Sequence, residues 1–223
     1  MKKLLLLTFL FSATIGFTQN LVPYKVSEDV SINIPKDFQV KKKPHNTITI
    51  AIIDDNNDVM VSKGNKKTAN VPVENVEDLL TFYDNLQTGF LRGLKGKLIN
   101  REIIEMDKKM FLKLNCAAVV RGKKQYFDSY LLLLNDYTYA IMFVHKLPND
   151  TNLIIPKAKI LASLKFKPGL TIHNQFNKEE SNFSFKLGKL IGAFLVYGAF
   201  VAGLVYLIIR NRKRKRNAFY NNN

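Results

Sequence analysis

The 223-residue chain has one cysteine, no tryptophan and three histidines. With Cys116 alone, no intramolecular disulfide can form, even in an oxidising compartment. Its place in Leu112-x-Leu114-x-Cys116-x-Ala118-x-Val120 is that of a small buried hydrophobe on an alternating strand. His45, His145 and His173 fall in a turn, at a strand end and in a polar stretch. They form no i, i+4 pair and have no second cysteine, so a zinc site lacks a ligand set. The run Asp54-Asp55-Asn56-Asn57-Asp58 lacks the glycine and closing glutamate of a calcium loop and reads as a solvated hairpin turn. Ser62, Ser129 and Ser163 lack the glycine frame of a nucleophile elbow, and Gly89, Gly93 and Gly96 do not make a phosphate loop. Glu102 and Glu105, three apart on a strand, point to opposite faces. No catalytic, cofactor-binding or metal-binding residue is assigned, and a non-enzymatic protein without a cofactor is expected.

Charge is also missing from one long stretch. Leu190 to Ile209 is twenty residues without a charged side chain, and twenty helical residues span roughly 30 Å, the thickness of a bilayer's hydrocarbon core. Arg210, Arg212, Lys213, Arg214, Lys215 and Arg216 follow it and hold that end on the cytoplasmic side. Gly188, Gly192, Ala199 and Gly203 are spaced four, seven and four apart. They form one small-residue stripe suited to close helix packing, with a second copy or with a partner membrane protein.

At the other end, Lys2 and Lys3 precede the apolar run Leu4–Phe11. That run is too short to span, so residues 1–18 read as a signal peptide cleaved after Thr18, a retained signal anchor being the alternative. The expected organisation is a signal peptide at 1–18, an exported α+β domain at 19–167 and a polar tether at 168–187. A transmembrane helix at 188–209 and a basic cytoplasmic tail at 210–223 complete it. This places the chain once through the cytoplasmic (inner) membrane, in contact with its lipid, with the main domain on the periplasmic side.

The formal charge of +16 belongs in large part to the termini. Gln19 to Gly188 holds twenty-five Lys and Arg against eighteen acidic residues, a net +7. The basic excess therefore reports topology, and no nucleic-acid partner is expected. Within the body the lysines pair up at Lys41–Lys43, Lys66-Lys67, Lys108-Lys109 and Lys123-Lys124. These read as solvated turns, or alternatively as a stripe facing anionic lipid.

Periodicity in the body predicts strands at 21–26, 29–34, 47–53 and 59–61, then a helix capped by Asn75 and carrying Val76, Leu79, Leu80, Tyr83, Leu86, Phe90 and Leu91 on its apolar face. Four successive antiparallel strands follow at 97–106, 110–120, 125–134 and 137–145, joined by short turns. A second helix is expected at 153–164, capped by Asn152, with Ile154, Ile155, Ala158, Leu161 and Leu164 as its apolar face, widened by Ile160, and Pro156 in its first turn. Tyr126, Phe127, Tyr130, Tyr137, Tyr139 and Phe143 line the last two strands as core, or as an aromatic binding surface.

Val30-x-Ile32-x-Ile34-Pro35-x-x-Phe38, a mid-chain helix, a four-strand meander and a closing helix with Leu161-x-Ser163-Leu164-x-Phe166 together resemble the PsbP-like family over about residues 22–167. The resemblance implies an antiparallel sheet flanked by helices, an α/β/α sandwich. It also implies a binding, assembly or lipoprotein module without shared catalytic residues. The leading expectation is a membrane-anchored extracytoplasmic binding or assembly module. The alternatives are an envelope enzyme of hydrolase type whose site carries no motif, and a sensor subunit that signals through a partner.

Overall fold

At Asp107-Lys108, Arg121-Gly122 and Asn135-Asp136 both central residues have positive φ, between 48° and 74°. This is the left-handed pair that a two-residue hairpin turn requires, because its twist matches that of the flanking strands. The three turns join four long strands: β6 (Lys97–Met106), β7 (Lys109–Val120), β8 (Lys123–Leu134) and β9 (Tyr137–His145). The computed structural model describes residues 20–43, 46–64 and 73–176. The expected signal peptide, His45, the packing stripe Gly188, Gly192, Ala199 and Gly203, and the cations 210–216 lie outside them. Among the described residues no helix is long and apolar enough to cross a membrane.

Ahead of the meander come β1 (Leu21–Lys25), β2 (Val30–Pro35), β3 (Phe38–Lys43), β4 (Asn46–Ile52), β5 (Asn57–Gly64) and helix α1 (Val76–Leu94). After it come α2 (Thr151–Ala162), β10 (Lys165–Phe166) and a 3-10 turn at Ile172–Gln175. Seven strands form one antiparallel sheet in the order β3-β4-β5-β9-β8-β7-β6, and β1, β2 and β10 form a second. The protein is mostly β with two helices.

The two helices take opposite faces of the large sheet. On α1, Leu79, Phe82, Tyr83, Leu86, Phe90 and Leu94 are buried against Leu112, Leu114, Leu131, Leu133 and Met142. Each such side chain contributes about 1.5–3 kcal/mol by leaving water. Asn75 caps α1 as its sequence predicts, accepting from the Asp78 amide at 3.0 Å. The helix ends where Lys95 turns left-handed and the Gly96 amide donates back to Leu91. The other face is shared by the small sheet and α2, so the flanking layer there is not helical alone. Val30, Ile32 and Ile34 of β2 and Leu153 and Ile160 of α2 close over Phe111, Leu132, Ile141 and Phe143.

Three expectations are corrected. Helix α2 begins earlier than expected, because Asp150 and not Asn152 caps it, accepting from the Asn152 amide at 3.0 Å. Pro156 is then the sixth helical residue, where its missing N–H leaves the Asn152 carbonyl without its helical donor. The buried face of α2 also differs in part: Ile160, Leu161 and Leu164 pack on the core as expected, but Leu153 joins them, while Ile154 is 58% and Ile155 is 63% exposed. Lastly, the stretch expected to begin a tether at 168 stays attached as far as Phe176. Gln175 is buried, and its amide nitrogen donates to the Met110 carbonyl at 2.8 Å and the Leu133 carbonyl at 3.1 Å. A glutamine side chain that completes backbone groups between two strands holds the segment down without any apolar run to announce it.

Candidate functional site

Strand β8 alternates Tyr126, Asp128, Tyr130, Leu132 and Leu134 on the face toward α2, so Asp128 carries a carboxylate into an apolar layer. Register decides what surrounds it. Asn115 of β7 stands directly opposite, and its Nδ2 donates to Asp128 Oδ1 at 2.5 Å. His145 of β9 stands opposite Tyr126 and stacks on it, with ring centroids 5.6 Å apart and planes 26° apart. Its Nε2 is 3.6 Å from Asp128 Oδ1, an ion-pair distance rather than a hydrogen bond. Lys157 reaches down from α2 and donates to Asp128 Oδ2 at 2.6 Å.

This cluster explains the rotation of α2. Leu153, Lys157 and Ile160 lie on one helical stripe, since residues three and four apart are neighbours. Buried carboxylates need a partner, and Lys157 meets Asp128 only if the helix presents the 153/157/160 face. That face is one residue, about 100° of helix, from the face its hydrophobic pattern suggests. Ile154 and Ile155 are turned to solvent as a result.

The charge states follow from the contacts. Burial works against an ionised Asp128, but His145, Lys157 and Asn115 outweigh it and hold the carboxyl well below the usual range. Burial likewise works against a charged His145, yet Asp128 and the Leu147 carbonyl raise its pKa above the usual 6.5. The geometry agrees. His145 Nδ1 lies 2.7 Å from the Leu147 carbonyl and must donate to it. Nε2 faces a carboxylate and is settled there only if it too carries a proton.

Between this cluster and α2 lies a cleft of about 510 Å³, walled by Ile99 and Asn100 of β6, by Tyr126, and by Pro148, Leu153 and Ile154. On the other side of α2, Ile155, Pro156 and Lys159 face the Asp54–Asn56 turn across a recess of about 530 Å³. That turn is closed internally. Asp54 Oδ1 accepts from the Asn56 amide at 2.7 Å, and Oδ2 accepts from buried Asn57 at 2.8 Å. Lys146 donates to the Asp55 carbonyl. Among the described residues no group of His, Cys, Asp or Glu is arranged to hold a metal.

Cys116 is among the residues bordering the cleft, whereas Ser129 is not. Ser129 and Phe127 share the α1 face of β8, and Ser129 is fully buried there. The Cys116 side chain packs into the same α1-side core, where burial and the nearby Asp128 push its thiol up to about 12. The Asp128–His145–Lys157 convergence was not read from sequence. Its one local signal is an aspartate in phase with Tyr130, Leu132 and Leu134; the lysine and histidine that answer it lie on other elements. Lys109 was misread as well. Expected in a solvated turn, it is 1% exposed, with its Nζ 3.0 Å from Asp107 Oδ2 and 4.2 Å from the centroid of the Phe166 ring.

The residues behind the family resemblance all meet at one place. Ile32 and Ile34 are core, the Asn33 amide donates to Ser163 Oγ at 2.8 Å, and Phe166 packs edge-on to Phe111. Solved structures are similar in fold. Cyanobacterial PsbP (CyanoP) from Synechocystis sp. PCC 6803 is similar with a TM-score of 0.50, at 11% identity, over 69% of this chain and 96% of that one. The Ran-binding protein Mog1p of Saccharomyces cerevisiae gives a TM-score of 0.43, at 10% identity, over 72% of this chain and 100% of that one. LpqN, involved in cell envelope biogenesis of Mycobacterium tuberculosis, gives 0.33, at 9% identity, over 67% and 91%. No family profile and no curated sequence matches the chain. At such identities the likeness concerns architecture alone, and the chain has the PsbP-like fold.

Proposed function

We propose that this chain is a non-enzymatic binding or assembly module that docks a protein partner on the outward face of α2. In this reading it is held outside a cytoplasmic membrane by one span over 188–209. The observation that carries the docking is the ridge of Ile154 and Ile155, exposed while Leu153 and Ile160 already complete the core beneath them. Adjacent exposed apolar side chains flanked by recesses are what an interface uses as anchors. The anchoring rests on the uncharged run Leu190–Ile209 and the cations after it.

Eleven residues, 177–187, separate the last described residue from that span. Even fully extended they reach only about 36–40 Å, so the domain works close to the bilayer. Gln175 sits beside Leu133, whereas the cleft sits beside Tyr126, seven residues back along β8. At about 3.3 Å per residue that is roughly 23 Å, so cleft and chain exit occupy opposite ends of the strand.

An enzyme reading has one specific observation in its favour, the His145–Asp128 pair in a concave site. A general base must be neutral, however, and the carboxylate and carbonyl neighbours of this histidine raise its pKa and so work against the neutral form. The binding reading is favoured.

The test is site-specific photocrosslinking in native membranes, with the probe at position 155. One discrete protein adduct is expected, lost in Ile154→Glu, with unchanged thermal unfolding. Protease added to spheroplasts should digest the domain. Absence of any adduct from positions 154 and 155 overturns the docking, and protection of the domain overturns the topology.

A further inference from the structure

We propose that the recess between α2 and the Asp54–Asn56 turn receives an arginine side chain of the partner, its stem lying on Ile155 and its guanidinium on the acidic turn. The inference rests on the docking reading above and names the chemistry of the partner.

The recess forms where three separate stretches of chain meet: Leu21 at the start of β1, the turn after β4, and one stripe of α2. On that stripe Asn152, then Ile155 and Pro156, then Lys159 follow at helical spacing. Asn57 Nδ2 donates to Asp54 Oδ2 at 2.8 Å and to Asp150 Oδ2 at 3.1 Å, which pins the turn against the cap of α2. The acids therefore stand at the N-terminal end of the stripe. Lys159 lies two helical turns beyond Asn152, about 10 Å along the axis. Between them Ile155 and Pro156 face Leu21 and buried Ile53.

The acidic end carries more acceptors than donors. Asp55 is exposed, and its carboxylate has no partner among the described residues. Each oxygen of Asp54 accepts one bond inside the turn and keeps a second lone pair. Pro156 has no N–H for the Asn152 carbonyl, and both residues line the recess. Behind the turn Asn57 is 1% exposed, and its Oδ1 has no partner. Lys146 does reach the turn, but it donates to the Asp55 carbonyl and to Asn56 Oδ1 at 3.3 Å, not to a carboxylate. On a body whose lysines and arginines outnumber its acids, this acidic end is a local exception, and it selects a cation.

The apolar wall says what carries the charge. A bare ion would leave Leu21, Ile53 and Ile155 unused, and among the described residues no group is arranged to hold one. An arginine brings an apolar stem for that wall and a planar fork of five donors for several acceptors at once. Lys159 repels a guanidinium at its own end of the recess, so the cation is directed to the turn.

The test pans a random peptide library displayed on phage against the full-length chain in detergent micelles. The recovered peptides should carry arginine beside an apolar residue. Replacing that arginine by citrulline, which keeps the shape and removes the charge, should weaken the synthetic peptide roughly tenfold. Asp55→Asn should lose the same amount, and Asp55→Glu should keep most of the binding. Lys159→Gln should bind at least as tightly as the natural chain, and Ile155→Ser should bind more weakly. Asp55, Ile155 and Lys159 are exposed, so thermal unfolding should be unchanged in all four variants. A pool without arginine, no pool at all, affinity indifferent to Asp55→Asn, or equal losses in Asp55→Asn and Lys159→Gln overturns the inference. If the position-155 adduct forms while this pool fails, the arginine is wrong and the docking face stands. If both fail, the docking face falls too.

Discussion

Gln175 and Tyr83, ninety-two residues apart, meet in the interior: the glutamine Nε2 donates to the tyrosine hydroxyl at 3.2 Å. The same hydroxyl donates to the Met110 carbonyl at 2.7 Å and accepts from the Leu133 amide at 3.3 Å. Helix α1, the β7–β8 pair and the C-terminal segment are thus joined at one buried polar point, and whatever follows Phe176 is led off from there.

Gln175→Leu is the clean test of that joint. It leaves the Met110 amide and the Leu133 carbonyl without their glutamine partner, and a buried unsatisfied backbone group costs about 1–3 kcal/mol. The expected loss is about 2 kcal/mol in denaturant unfolding, with faster amide exchange over 171–176 than over the meander.

Lys109 is buried, but its carboxylate partner Asp107 is 65% exposed. Removing the cation therefore strands no buried charge, which is the usual source of a large penalty. Lys109→Met keeps the volume against Phe166 and should unfold within about 1 kcal/mol of the natural protein. Lys109→Ala opens space as well and should cost about 2 kcal/mol more.

The phase of α2 predicts opposite outcomes for two isoleucines of the same helix. Ile160→Ala should destabilise by about 2–4 kcal/mol. Ile155→Ser, at an outward position, should stay within about 0.5 kcal/mol. Equal effects in thermal unfolding would refute the observed rotation.

Two acids and a histidine shape the pH profile. His145 has a raised folded-state pKa, so its contribution is fully present below about 6.5 and is lost as pH rises through the raised value. Asp128 has a depressed one, so its contribution is present above 3.8 and is lost only at strongly acid pH. Asp128→Asn should cost about 2–3 kcal/mol at pH 6, because it leaves Lys157 and His145 facing each other. His145→Gln should flatten the alkaline limb of a stability curve measured by urea unfolding.

Asp58 acts in the other direction. Burial raises its carboxyl from 3.8 to about 6, with Lys146 opposing and Asp54 adding to the rise. The folded state then binds more protons than the unfolded one between those values, so stability falls as pH climbs from 4 to 6. Asp58→Asn should remove that decline and add about 2 kcal/mol at pH 7.

The strands at 97–106 and 137–145 coincide with β6 and β9, and Asn75 caps α1 as read. Alternation, two-residue turns and a side-chain cap are local, and each is written within a few neighbouring residues. Strand β3 was not legible: Lys41–Lys43 read as a solvated turn, whereas they form the second half of this strand at a sheet edge. β10 is two residues long and exists only through its pairing with β2.

Sequence alone therefore determined the long antiparallel strands and most of the α1 face, because hydrophobic periodicity and turn conformation depend on adjacent residues. Only the tertiary structure decided which way α2 faces, that Lys109 is interior and that the chain stays docked to Phe176. Each of these turns on a polar group meeting a partner far along the chain: Asp128 with Lys157, Lys109 with Phe166, Gln175 with Tyr83. Such pairings carry no period, and they override the hydrophobic pattern because leaving one buried polar group unmet costs as much as burying an isoleucine gains.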